Sequence, residues 1–154
     1  MIDTPSLTDS PERTVAVLRI TVPRNGIREV MGPAFAELLA VVKAQGVGPA
    51  GALFSHHHRM DPEVFDFEVG VPVTAAVTPS GRVEPGLLPA ARVARTVYHG
   101  GYEGLGDAWG AFLTWVNTQP VAQRADFWET YLSGPESGLD PSRWQTELVK
   151  PLSA

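Results

Sequence analysis

Apolar residues follow two different spacings along this chain, and the switches between them mark out its elements. Residues 13–22 (RTVAVLRITV) are short and rich in β-branched side chains, which predicts a strand. Asn25-Gly26 is a turn signal. From residue 27 to about residue 44, Met31, Phe35, Leu38 and Val42 recur at helical spacing, with Leu39 and Val41 widening the stripe. Gly46, Gly48 and Pro49 end that helix. Residues 52–57 and 65–73 then read as strands about a turn at Asp61-Pro62. In the second of these, Phe65, Phe67, Val69, Val71 and Val73 take one face, and Asp66 and Glu68 the other.

The same order of elements then comes round again. Residues 74–90 hold Pro79, Ser80-Gly81, Pro85-Gly86 and Pro89, and predict an exposed connector with a short hairpin at Ser80-Gly81. Beyond it come a strand (91–98), a turn (99–101), a helix (102–117) carrying Leu105, Trp109, Phe112 and Val116, and strands at 127–132 and 144–149. Laid over itself at an offset of 74, the chain matches residues 15–58 to 89–132 without a gap, with nine identities. Bulk falls on bulk at Met31/Leu105, Phe35/Trp109, Leu38/Phe112 and Phe54/Trp128. After five extra residues in the second copy the match resumes: Asp61-Pro62 with Asp140-Pro141, Phe65 with Trp144, Glu68 with Glu147. A repeat of this length is a whole supersecondary module. The expectation is an α+β fold of two duplicated β-α-β-β units. They would form a concave antiparallel sheet with both helices on one face and the other face left as a groove. Residues 1–12 read as a flexible leader, and residues 13–154 as a single pseudo-symmetric domain with halves 13–73 and 87–152. The cleft between the halves is the expected ligand site.

Composition narrows the function classes. Hydrophobic residues are 44% and charged residues 19% of 154, the profile of a globular domain with a real core. No apolar run reaches bilayer length, and the polar, acidic start lacks a signal-peptide pattern. Cysteine is absent, which removes disulfides and Cys-ligated zinc and fits a cytoplasmic location. The net charge of −5 argues against direct nucleic-acid binding and is compatible with a cationic partner.

FWETYL is the most telling strand. Period two puts Phe127, Glu129 and Tyr131 on one face and Trp128, Thr130 and Leu132 on the other. The repeat pairs Trp128 with Phe54, which predicts that both pack against the helices. Glu129 and Tyr131 would then face the groove, opposite Ser55 and His57. A carboxylate among aromatics receives an organic cation by charge, cation–π attraction and apolar area. Such a Glu resists unpaired burial and has a raised pKa. Trp109 lies on the helix stripe, and Trp115 about 60° off it. Tyr98 and Tyr102 bracket the HGG turn, where the first copy has only Arg24 and Arg28. His56-His57-His58 invites a metal reading. Alternation weakens it by placing His56 and His58 about 7 Å apart on one face and His57 on the other. No acidic residue nearby completes an obvious set, so no metal is expected. Nucleophile signatures and phosphate loops are missing: GGYEGLG has no Lys-Ser/Thr.

Three segments together carry a family likeness: LPAARVARTVYHGGYEGLGDAWGAFLTWV, FWETYLSGPES and DPSRWQTELVKPL, with FDFEVGVPV in the first half. They resemble the GyrI-like small-molecule-binding family, the effector-binding domain of AraC-type and MerR-type regulators that also occurs alone. The likeness covers nearly all of residues 13–152. It implies a duplicated β-α-β-β fold and a pocket for bulky aromatic, often cationic, compounds with an acidic residue at the position of Glu129. Some stand-alone members hydrolyse cyclopropane-bearing genotoxins, and another protects DNA gyrase. The HHH segment departs from the family, where aromatic and acidic residues are more usual. Residues 1–12 are too short for a helix-turn-helix.

The expected function is therefore a stand-alone binding protein for a bulky apolar or aromatic, optionally cationic, small molecule. Glu129, Tyr131, Tyr102, Trp109, Trp115, His57 and Tyr98 are the candidate ligand residues. No cofactor, metal, nucleic acid or membrane is expected, and a protein partner or homodimer is left open. The rival is a hydrolase in which Glu129 activates water and Tyr102 or Tyr131 donates a proton. A third reading is a protein-binding modulator such as a gyrase-protecting factor.

Overall fold

The computed structural model describes residues 2–23, 27–58, 64–134, 138 and 140–153. Along them run β1 (Ser6–Ser10), β2 (Arg13–Pro23), α1 (Ile27–Ala44), β3 (Phe54–His57), β4 (Val64–Pro72) and β5 (Val83–Leu88). There follow β6 (Ala91–His99), α2 (Leu105–Val116), β7 (Phe127–Ser133) and β8 (Gln145–Pro151). The chain forms two compact units, residues 11–90 and residues 1–10 with 91–154. Within each unit the described strand pairings are antiparallel, and the fold is α+β.

Within the first unit the strands lie in the order β3-β4-β2-β5, and within the second in the order β7-β8-β6-β1. The sequence repeat thus has a structural counterpart. In each copy the first strand lies beside the last, and the strand after the helix lies beyond it. The fourth strand of each unit was not expected. Ser6–Ser10, read as a leader, pairs with β6 from Ser6 opposite Arg95 to Ser10 opposite Ala91, and the Asp3 amide and carbonyl bond Val97 and Thr96. Val83–Leu88, read as a connector, pairs with β2 and buries Val83 and Leu88. Both segments carry Pro or hydroxyl and acidic residues, which weaken a strand signal. They serve as added strands beside a long partner, where such residues are tolerated. The hairpin at Ser80-Gly81 is present, closed by Ser80 and Val83, with Gly81 at φ +57°. The turns at Asn25-Gly26 and Asp61-Pro62 and most of the 133–139 insertion lie outside the described residues.

Each helix packs on one face of its own unit's strands. Ala34, Leu38 and Val42 of α1 meet Ala16, Leu18, Phe67, Val69 and Val71. Trp109, Phe112 and Val116 of α2 meet Ala94, Tyr98, Phe127 and Leu148. Burying each large apolar side chain here stabilises by about 1.5–3 kcal/mol. The opposite face, expected as an open groove, carries a smaller buried cluster in each unit: Val15, Val17, Phe54 and Leu88, and Val93, Trp128 and Val149. Phe54 and Trp128 therefore lie away from the helices, which reverses the face assignment made from their bulk. Large apolar residues occupy both faces of these strands, so size alone does not identify the helix side. Gly70 stands opposite Phe54 and leaves room for its ring, since a Cβ there would collide with the ring edge. Among the described residues no helix is long and apolar enough to cross a membrane.

Candidate functional site

Strand parity on β7 follows the sequence pattern, with Phe127, Glu129 and Tyr131 together, but this is the side that α2 covers. One Glu129 oxygen accepts the Trp109 indole N–H at 2.7 Å, and the other accepts the Tyr131 hydroxyl at 2.9 Å. Burial pushes the Glu129 carboxyl above its ordinary range, against the pull of the Trp109 and Tyr131 hydrogen bonds. The residue keeps some exposed surface, although its carboxylate is closely surrounded by protein. Among the described residues no Lys, Arg or His pairs with it. The buried ammonium of this unit, Lys150, donates instead to the Asp126 carbonyl at 3.1 Å and lies 5.9 Å from the Phe127 ring. Arg95 is bound through two nitrogens to Glu147, at 2.9 and 2.6 Å.

Aromatic rings gather beside this carboxylate. Tyr102, in the 3₁₀ turn that leads into α2 and 37% exposed, lies 6.0 Å from the Tyr131 ring, edge to face. It lies 5.1 Å from Trp144. Trp109 is buried and packs edge to face on Phe127 at 4.9 Å. Thr146 stands opposite Tyr131 across β7–β8, and its buried hydroxyl has no hydrogen-bond partner among the described residues. The structure thus brings together four of the residues singled out in the sequence: Glu129, Tyr131, Tyr102 and Trp109. It adds Trp144 and Thr146. In the sequence Trp144 stood out as the repeat partner of Phe65, and both Trp144 and Thr146 lie in the segment DPSRWQTELVKPL that carries the family likeness.

The other candidates have different surroundings. Tyr98 is buried and donates its hydroxyl to the Gly101 carbonyl at 2.8 Å. Its pKa is raised, by burial first and then by Glu103 and Asp107. The HGG turn is built around it. Gly100 takes φ +147°, and a Cβ there would sit 2.6 Å from the Tyr98 oxygen. Trp115 packs half-buried on the cluster beneath α2. His57 is buried in the first unit, stacked on Phe67 at 4.7 Å and sharing a 3.2 Å hydrogen bond with Ser55.

The histidine run needs one correction. His57 does point away from His56 and His58, as alternation requires. An acidic residue does complete the set, however: Glu68 on β4 lies directly opposite His56. One ligand atom from each of His56, His58 and Glu68 lies within 4.8 Å of the other two. The sequence hid this because the acid comes from the neighbouring strand.

Comparison with known proteins places this chain in a family. A comparison with curated proteins finds no match. Among solved structures, the C-terminal domain of EcmrR superposes with a TM-score of 0.84 at 21% identity, covering 97% of both chains. EcmrR in its DNA complex gives 0.85 at 22% identity, covering 97% of this chain, which spans 57% of that one. SAV2435 bound to tetraphenylphosphonium gives 0.71 at 12% identity, covering 99% of this chain and 95% of that one. At these identities the likeness is one of fold. The model of the GyrI-like small molecule binding domain matches residues 3–153, and the chain belongs to that family.

Proposed function

We propose that the second unit of this small-molecule-binding domain receives a bulky aromatic cation, with Glu129 as its charge partner and Tyr102, Tyr131, Trp109 and Trp144 as its aromatic surroundings. The observation that carries this reading is the state of Glu129. Its carboxylate is closely surrounded and fixed by two neutral donors, and it is unmatched by any cation among the described residues. Such a group raises the energy of the free protein, and a desolvated organic cation relieves that cost while its rings meet the tyrosines and tryptophans. The Thr146 hydroxyl offers a further polar contact. SAV2435, similar in fold, is bound to a ligand of this class.

Titration with tetraphenylphosphonium and with neutral triphenylphosphine oxide tests the proposal. Glu129→Gln keeps the shape. Its amide oxygen accepts from Trp109, and its amide N–H donates to the Tyr131 oxygen, which can reverse its role as an indole cannot. The cation loses about 1.5–3 kcal/mol of binding, the scale of an interaction with a charged group, and the neutral compound loses much less. Equal losses would leave Glu129 a purely steric part of the site. Chemical conversion of an electrophilic aromatic compound that Glu129→Gln abolishes would favour the hydrolase instead.

A further inference from the structure

We propose that His56, His58 and Glu68, on the strand face of the first unit away from α1, bind a divalent transition metal of the zinc type. His56 and His58 project from the same side of β3 and the residue after it, and Glu68 faces His56 from β4. Their rings lie 5.2 Å apart, tilted at 54°. His58 Nε2 and Glu68 Oε1 are 3.5 Å apart. That is close to the roughly 3.4 Å between two donors of a tetrahedral site with bonds of about 2.0–2.2 Å. The three donor atoms span no more than 4.8 Å, a gap that small rotations about the side-chain bonds close. His58 Nε2 is screened from solvent and makes no hydrogen bond, and it faces the Glu68 carboxylate. Both the His58 and the Glu68 side chains remain partly accessible, at 38% and 25%, which leaves an approach for an ion and for a water as fourth ligand.

Two further observations separate this cluster from ordinary strand decoration. Arg19, opposite Glu68 across β2–β4, is held by Asp66 through bonds of 3.1 and 2.9 Å. Among the described residues the ion pair of Glu68 is with His58. The second copy also does without the cluster. Its residues at the places of His56 and His58 are Thr130 and Leu132, and Glu147, at the place of Glu68, is taken up by Arg95. The shared scaffold therefore does not need the two imidazoles. A site of two imidazoles and one carboxylate suits zinc, cobalt and nickel rather than calcium or magnesium.

The test uses the full chain stripped with a chelator, zinc titration by calorimetry, and cobalt(II) absorption as a reporter of coordination. One zinc binds per chain with a dissociation constant on the order of 1 μM or tighter, and cobalt gives the visible bands of a four- or five-coordinate site. His56→Thr and His58→Leu install residues that the second copy already carries and keep the fold, as circular dichroism checks. Each weakens zinc by about 100-fold, and Glu68→Gln by about tenfold or more. His99→Gln, which alters a histidine of the second unit, leaves binding unchanged. Zinc affinity weaker than about 10 μM, or tight binding that survives His58→Leu, overturns the proposal.

Discussion

The strands β3 and β7 hold equivalent places in the two copies and differ in what they do with them. On the helix side each presents a hydrogen-bonded pair two residues apart, Ser55 with His57 and Glu129 with Tyr131. The first pair can be neutral and is closed off, with His57 stacked on Phe67 in the core. The second contains the carboxylate of a partly exposed residue, and Tyr102 and Trp144 lie beside its Tyr131 partner. On the far side the positions reverse. There β3 and the residue after it carry His56 and His58 against Glu68, whereas β7 carries Thr130 and Leu132, and Glu147 is neutralised by Arg95. A duplicated scaffold tolerates chemistry on either strand face, because ladder hydrogen bonds and the helix-facing core hold the fold.

The helices offer the sharpest way to break this comparison. Trp109 and Phe35 are equivalent by the repeat, but Trp109 is buried and holds Glu129, while Phe35 is only partly buried. Trp109→Ala costs about 3–5 kcal/mol and Phe35→Ala about half of that in denaturant unfolding. Equal costs would mean that the second helix is not specialised. Next comes Glu129→Gln on stability. The folded carboxyl binds its proton more tightly than the unfolded one because burial raises its pKa. Stability therefore falls as pH rises from the ordinary carboxylate range through the raised value, and the loss is complete above it. Glu129→Gln removes that slope. It gains about 1–2 kcal/mol over the wild type at neutral pH and nothing in acid. A gain of the same size at both ends of the pH range would assign it to packing rather than charge.

Tyr131→Phe takes away one donor that favours the charged form of Glu129. It costs about 1 kcal/mol in unfolding and moves the titration of the carboxyl further up. An unmoved titration, followed through the Trp109 fluorescence, would remove Tyr131 from the site. The smallest effect belongs to Arg95→Met. Its partly exposed pair with Glu147 contributes about 1 kcal/mol or less, and less still in high salt. A larger loss would show that Glu147 needs neutralising more than its exposure indicates.

Much of this was legible in the sequence, and the parts that were not share a cause. The helix stripes predict α1 from residue 27 to 44, and the alternation of FDFEVGVPV predicts the burial of Phe67, Val69 and Val71, because one buried face imposes one period. The parity of Phe127, Glu129 and Tyr131 follows for the same reason. Which side of β7 meets α2 does not. Phe127 and Trp128 both look like core residues, and both are buried. Only the indole of Trp109, twenty residues away, decides it. The strand role of Ser6–Ser10 depends on a partner some 85 residues away, and its own residues are mostly polar. The approach of Glu68 to His56 and of Trp144 to Tyr102 is likewise set by registry and turns, which no local pattern records.

Glu129 is proposed as the carboxylate that receives a cation, and proton linkage measures that role most directly. A bound cation favours the charged carboxylate and returns its raised pKa toward the ordinary range. Calorimetry of tetraphenylphosphonium binding, in buffers of different ionisation enthalpy from about pH 5 to pH 8, reads the protons released. Proton release should peak between the ordinary and the raised carboxyl value, affinity should strengthen as pH rises through that window, and Glu129→Gln should release none. Tight binding with no proton released at any pH, or release that persists in Glu129→Gln, would contradict that role.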